Sequence, residues 1–203
     1  MKSQKTWALV GLAVLAAATA AGAWIGLQTS APNKLQSTSV QAPPQRRDFS
    51  LLDQDGQRVS LATYEGKWLL MFFGFTSCPE ACPMAMQLAV ATLGDMGEAA
   101  KAIQPIFISI DPERDTPAVL KDYLSHFSDG IAGLSGTGEE TAAIAKAYGV
   151  YYRRRAIEGD YTMDHSTAFY LVAPDGSYVQ PFRADVDPPV LAADLTRVMN
   201  TTK

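Results

Sequence analysis

Phe72-Phe73-Gly74-Phe75-Thr76-Ser77-Cys78-Pro79-Glu80-Ala81-Cys82-Pro83 joins an apolar run to the only two cysteines of the 203-residue chain. Within Lys67 to Phe75, the residues Trp68-Leu69-Leu70-Met71-Phe72-Phe73 contain no polar side chain. Such a run predicts a strand buried on both faces of a parallel or mixed sheet. After the prolines, Ala85, Leu88, Ala89, Thr92, Leu93 and Met96 recur at helical spacing, predicting an amphipathic helix to about Ala100. Each cysteine precedes a proline, which disfavours the α conformation at the residue before it. The spacing therefore predicts a tight loop from Cys78 to Cys82 that feeds a helix starting near Pro83, where proline costs little. Thiols near a helix N-terminus have depressed pKa values, which raises the thiolate fraction used in attack or ligation. Such a pair can close into a disulfide or hold a soft metal. The bland alternative is two inert buried cysteines.

Working outward, Phe49 to Leu61 reads as a hairpin turned at Asp53-Gln54-Asp55-Gly56, since Asp-Gly is a strong turn signal. Ile106-Phe107-Ile108-Ser109-Ile110 predicts a second buried strand. Thr116-Pro117 reads as N-cap and first residue of a helix whose buried side carries Val119, Leu120, Tyr123, Leu124 and Phe127. Thr137-Gly138-Glu139-Glu140 has capping-box spacing and opens a helix stopped at Gly149. Val150 to Arg154, Thr167 to Val172 and Tyr178-Val179-Gln180 predict strands, the last two joined by the Pro174-Asp175-Gly176 turn. Asp187-Pro188-Pro189 starts a final helix carrying Val190, Leu191, Leu195 and Val198. A βαβ unit followed by further strands and a terminal helix predicts an α/β thioredoxin-like sandwich with an N-terminal β-hairpin. In that fold a cysteine pair belongs where the first core strand meets its helix.

Before the domain, Lys2 and Lys5 precede an uncharged apolar run from Trp7 to Leu27, long enough to span a bilayer. Residues 1–27 are therefore expected to be a single transmembrane anchor with the remaining chain on the far side, since positive residues stay cytoplasmic. A cleaved signal peptide is the competing reading, given Ala18-Thr19-Ala20 and Ala21-Gly22-Ala23. No cysteine stands near those sites, which argues against a lipoprotein. Residues 28–47, rich in Gln, Ser, Thr and Pro, read as a flexible linker, with the globular domain over 48–203. The expected compartment is a bacterial inner membrane with the domain in the oxidising periplasm. A net charge of −4 gives no nucleic-acid footprint, and Arg153-Arg154-Arg155 reads as a solvated strand edge or turn. With two cysteines, the fold must stand on its core rather than on disulfides.

Two thiolates are too few ligands for a stable zinc or Cu(II) site, so a third donor is needed. His126 falls near the end of a helix, where a surface histidine is ordinary. His165, in Tyr161-Thr162-Met163-Asp164-His165-Ser166-Thr167, sits at a strand entry with Asp164 as a carboxylate partner for its ring. A buried structural histidine is the alternative. Cys78, Cys82 and His165 together suit copper: soft thiolates favour Cu(I), and imidazole helps hold Cu(II). Met84, Met86 and Met163 are chemically suitable but read as core packing. Asp111 and Asp115 read either as capping residues or as carboxylates that tune the site.

The cysteine stretch, then Ser109-Ile110-Asp111-Pro112-Glu113-Arg114-Asp115-Thr116-Pro117, then Asp164-His165-Ser166, resemble the Sco/SenC family of copper-binding cytochrome c oxidase assembly proteins. The resemblance runs from about Phe49 and includes Leu52-Asp53-Gln54-Asp55-Gly56. It implies a membrane-tethered thioredoxin-like domain that binds copper through Cys78, Cys82 and His165. It also implies a partner, the copper domain of cytochrome c oxidase subunit II, and exchange with periplasmic copper chaperones or thiol reductants. Members differ in role between copper delivery, reduction of the target cysteines and redox signalling. A thiol–disulfide oxidoreductase with Cys78 attacking and Cys82 resolving therefore stands beside a metallochaperone. A peroxidase is the weakest reading, because Thr76 precedes Cys78 by two residues without the upstream proline that chemistry uses.

Overall fold

Strand β3 (Trp68–Gly74) is buried along its whole length. In the computed structural model, which describes residues 45–202, it lies inside a seven-stranded sheet of order β2 (Arg58–Ser60), β1 (Ser50–Asp53), β5 (Ala132–Ser135), β4 (Ile103–Ser109), β3, β8 (Ala168–Val172) and β9 (Tyr178–Arg183). It pairs in parallel with β4 (Ile103–Ser109), from Trp68 opposite Ile103 to Gly74 opposite Ser109. On its other edge it pairs antiparallel with β8 (Ala168–Val172). A strand with partners on both edges and protein on both faces has no solvent side, so its sequence shows no polar alternation.

β1 (Ser50–Asp53) and β2 (Arg58–Ser60) form the expected hairpin. Its turn uses Gly56 at φ +76°, and Asp53 Oδ1 accepts from the amides of Asp55 and Gln57. β5 (Ala132–Ser135) joins β1 to β4, and β9 (Tyr178–Arg183) closes the far edge against β8. A separate ribbon pairs β6 (Tyr152–Ile157) with β7 (Asp160–His165).

The helices are α1 (Ala81–Met96), α2 (Pro117–Ser125), α3 (Gly138–Tyr148) and α4 (Pro188–Thr201). Helices α1 and α4 pack on each other, and α2 covers β5. Thr116 caps α2 by accepting from the Val119 amide, and Thr137 and Glu140 form the expected capping box at α3. Gly149, left-handed at φ +70°, ends α3. The result is a mixed α/β fold with the expected hairpin and βαβ unit.

Several expectations need correction. Helix α1 starts at Ala81, two residues before Pro83, so Cys82 is helical. The restriction that proline places on its predecessor is overridden in a first turn that the packed Cys82 side chain holds in place. The helix ends at Met96, where Gly97 at φ +55° diverts the chain into a 3-10 turn over Gly97–Ala102. β4 begins at Ile103 rather than at Ile106. Strands β5 and β7 were not anticipated. Val119, Val190 and Met84 are exposed, Met84 at 59%, rather than buried.

The expected anchor over 1–27 and most of the linker lie outside the described residues. Among the described residues, no helix is long and apolar enough to cross a membrane. Residues 45–47, read as the end of the linker, pack on the domain. Gln45 accepts from the Tyr178 amide, Arg46 bridges Ser177, and the Arg47 guanidinium lies 4.1 Å from the Tyr178 ring centre.

Candidate metal centre

Cys78 lies in the loop between β3 and α1, partly buried, while Cys82 is the second residue of α1 and fully buried. A helix start leaves backbone amides without intrahelical partners. The N-cap residue, Glu80, supplies no side-chain cap. Instead the Cys82 amide donates to Cys78 Sγ at 3.4 Å, so one orphan amide of the helix is satisfied by the sulfur. The Cys78 thiol is pushed down to about 4, first by its hydrogen bond with the Cys82 thiol, against desolvation. The backbone amides of Cys82 and Glu80 add to that effect. Cys82 moves the opposite way, held far up by Cys78 and by burial. The two thiols are thus pushed in opposite directions, Cys78 toward the thiolate and Cys82 toward the protonated form.

Gly74, the last residue of β3, makes room for the second sulfur. A Cβ there would stand 2.7 Å from Cys82 Sγ.

His165 closes the set from the end of β7. Its Nε2 is 3.6 Å from Cys82 Sγ, and its Nδ1 is 2.9 Å from the Ser166 carbonyl oxygen. A carbonyl only accepts, so Nδ1 carries the proton in the neutral ring and Nε2 presents its lone pair to the sulfurs. Ser166 is itself fixed by exchange with Tyr151: the Ser166 amide donates to the Tyr151 carbonyl, and Ser166 Oγ accepts from the Tyr151 amide. The rings of Phe72 and Phe75 stand edge-on to the imidazole, at 6.1 and 5.8 Å between centres. The sulfurs of Cys78 and Cys82 and a ring nitrogen of His165 lie within 4.8 Å of one another. Two sulfurs and one oriented imidazole form a donor set that suits a soft or borderline ion.

Other candidates fall elsewhere. Asp164 does not orient His165. It faces outward from β7, where it accepts from Arg153 at 3.2 Å and Arg155 at 3.0 Å. Successive strand residues point to opposite faces, so the neighbour of an inward histidine cannot share its side. His126 is exposed, with Nδ1 bound to the Asp122 carbonyl, as expected of a surface histidine. Met86 and Met163 are core residues.

Neither Asp111 nor Asp115 caps a helix. Asp115 is fully buried and accepts from Thr76 Oγ1 at 2.6 Å, from the Thr76 amide at 3.1 Å and from Ser109 Oγ at 2.6 Å. Burial pushes its carboxyl up despite those bonds. Asp111 pairs with Arg114 and accepts from Tyr161 Oη at 2.8 Å. Sequence alone weighs Thr76 only as a peroxidase threonine and does not single out Gly74, Arg114 or Tyr161. Gly74, Thr76 and Arg114 stand inside the quoted motifs, and the alternation Tyr161, Met163, His165 is the available sign of β7.

The family model SCO1/SenC matches residues 37–200. The bovine mitochondrial SCO2 homologue is 37% identical over 166 residues, covering 77% of this chain and 62% of the relative. The chain spans between 40% and 62% of the length of such mitochondrial relatives. Bradyrhizobium japonicum ScoI, solved with copper bound, is 44% identical with a TM-score of 0.68, over 74% of this chain and 97% of ScoI. BsSco, a member of the Sco family of cytochrome c oxidase assembly proteins in which a disulfide switch was identified, is 26% identical with a TM-score of 0.62, over 80% of this chain and 98% of its own. A cysteine pair at a strand-to-helix junction, a histidine presented from a side ribbon, and a family match running through all three motifs lead to one conclusion: the chain belongs to the SCO1/SenC family.

Proposed function

We propose that the chain binds copper through Cys78 Sγ, Cys82 Sγ and His165 Nε2. We further propose that it is a membrane-tethered metallochaperone for the binuclear copper site of cytochrome c oxidase subunit II. The observation that carries the copper reading is the approach of His165 Nε2 to within 3.6 Å of Cys82 Sγ, with Nδ1 occupied by the Ser166 carbonyl. A buried structural histidine has no need of a lone pair aimed at two thiols. Copper is the cargo. Thiolates hold Cu(I), imidazole supports Cu(II), and a partly exposed Cys78 admits exchange with acceptor thiols. Copper-bound relatives support this reading. In the full proposal residues 1–27 tether the domain to a bacterial inner membrane, 28–47 link it, and 48–203 act in the periplasm, receiving copper from other chaperones.

A second reading is favoured by the asymmetry of the thiols. A low-pKa, accessible Cys78 beside a buried Cys82 is the arrangement of an attacking and a resolving cysteine. In that role the dithiol reduces the cysteines of the oxidase site or acts in redox signalling.

Mixing copper-loaded and reduced copper-free protein separately with the purified subunit II copper domain separates the two. Metal transfer supports the chaperone; disulfide reduction without transfer supports the oxidoreductase and overturns delivery.

A further inference from the structure

One loop grips both halves of the site. The loop over 110–116, which holds Asp111, Arg114 and Asp115, connects β4 to α2. Through Asp115 the loop holds the amide and hydroxyl of Thr76, two residues before Cys78. Through Arg114 it holds Tyr161 on β7, four residues before His165. Arg114 Nη1 donates to the Tyr161 carbonyl at 3.1 Å and lies 3.5 Å from Asp160 Oδ2. The Arg114 guanidinium carbon is 3.8 Å from the centre of the Tyr161 ring. Arg154, from β6, places its guanidinium 3.5 Å from the same centre. Two cations that close to one ring centre must occupy opposite faces, so the phenol is sandwiched. Glu113 holds Arg154 at 3.0 Å, and Asp111 accepts from the phenol hydroxyl at 2.8 Å.

This clamp acts on the face of β7 that bears the candidate ligand. Tyr161, Met163 and His165 alternate with Asp160, Thr162 and Asp164, so the first three share one face. Met163 is buried on that face, which turns it toward the domain. Arg114 also lies 5.9 Å from the centre of the Phe75 ring, whose edge borders the imidazole. None of these Arg114 contacts is with Cys78, Cys82 or His165. Its effect on them is indirect.

We propose that Arg114 is a positioning residue for His165: by clamping Tyr161 it sets where the imidazole stands relative to Cys78 and Cys82. The proposal rests on the copper reading of the site. Arg supplies what the position needs, because its planar fork can stack on a ring while bonding a carboxylate and a carbonyl in its own plane.

The test uses the full-length reduced chain with Arg114→Ala and Tyr161→Ala, and Arg183→Ala as a control remote from the loop. Without metal, the His165 ring protons are read by NMR, since the edges of Phe72 and Phe75 give them ring-current shifts. Copper(II) chloride is then titrated, followed by the thiolate-to-copper charge-transfer band, and Cu(I) binding is measured in parallel. Both variants are expected to move the His165 resonances and to weaken Cu(II) binding by about 10-fold, the low end of the cost of losing a direct partner of a ligand, since the clamp acts through Tyr161 rather than on the imidazole. Cu(I), for which two thiolates suffice, stays at the wild-type level. Unmoved resonances, or unchanged Cu(II) affinity, in the variants overturn the proposal. If Arg114→Ala does not unfold cooperatively, Tyr161→Ala decides. A wild-type chain that takes no Cu(II) refutes the copper reading instead, and the metal-free resonances still judge the clamp.

Discussion

Replacing Gly74 by alanine should disable the site through a single methyl group. Gly74 ends β3, its carbonyl accepts from Ile110, and the added Cβ would meet Cys82 Sγ at 2.7 Å, a Phe107 ring carbon at 2.9 Å and a Phe72 ring carbon at 3.0 Å. Comfortable separations between such atoms are about 3.5–4.0 Å, so the overlap is roughly 1 Å on three sides. Phe72 and Phe107 are both 0% exposed and sit on paired strands, so neither ring can withdraw. Cys82 has the shortest side chain of the three, and its retreat breaks the 3.6 Å approach to His165. Overpacking a core costs about 1–3 kcal/mol, and three-sided contact places Gly74→Ala at the upper end. For a domain of this size about 3 kcal/mol lowers Tm by roughly 6–12 °C. Calorimetry of the metal-free chain reads the stability, and a Cu(II) titration reads the site. Gly138→Ala is the control: nothing lies within 4 Å of its Cβ position, and it starts α3. An unchanged Tm together with unchanged Cu(II) binding in Gly74→Ala would refute the packing argument.

Three further outcomes follow from the same geometry. Cys78 alkylation should stay flat as pH falls to about 5 and drop only near its pKa of about 4, because a depressed thiol remains ionised above that value. Removing the neighbouring donor in Cys82→Ala should move the profile back toward that of an ordinary cysteine; a wild-type rate that already falls tenfold per unit below pH 8 contradicts the assignment. Asp115→Ala leaves the Thr76 amide and the hydroxyls of Thr76 and Ser109 without their acceptor, which should cost about 2–4 kcal/mol by urea unfolding. A loss below about 0.5 kcal/mol rules out an anchoring role for that carboxylate. Met84→Ser on the surface should change stability by under about 0.5 kcal/mol, whereas Met86→Ala in the core should cost about 2–5 kcal/mol. Equal effects by thermal melting would contradict the burial pattern.

Periodicity and turn chemistry carried the fold where one residue type dominates the local choice. The run Trp68 to Phe73 has no alternative to a buried strand, and Asp55-Gly56, Thr116-Pro117 and Thr137 to Glu140 mark a turn and two helix starts unambiguously. β5 escaped because Ala132-Gly133-Leu134-Ser135 has little intrinsic strand preference. It becomes a strand through pairing with β4 and β1. Gly133 is required there because a Cβ would press on Leu124 of α2, a tertiary demand with no local sign. β7 is masked because Asp164 beside His165 reads locally as its carboxylate partner, whereas the strand sends the two residues to opposite faces. The three candidate donors, which the fold brings within 4.8 Å of one another, were legible, since chemistry restricts copper ligands to few residue types. Their supports were not. Asp115 reaches Thr76 across 39 positions and Arg114 reaches Tyr161 across 47, and no local pattern encodes contacts at that range.

In the proposed site one imidazole joins two thiolates around copper. Titrating the reduced chain and its His165→Ala variant with Cu(II) tests it most directly, following the thiolate-to-copper charge-transfer band and the nitrogen couplings in the electron paramagnetic resonance spectrum. The wild-type chain should give both signals, and His165→Ala should lose them while its dithiol still reduces a model disulfide. Wild-type Cu(II) affinity and an unchanged spectrum in His165→Ala would contradict the three-ligand site.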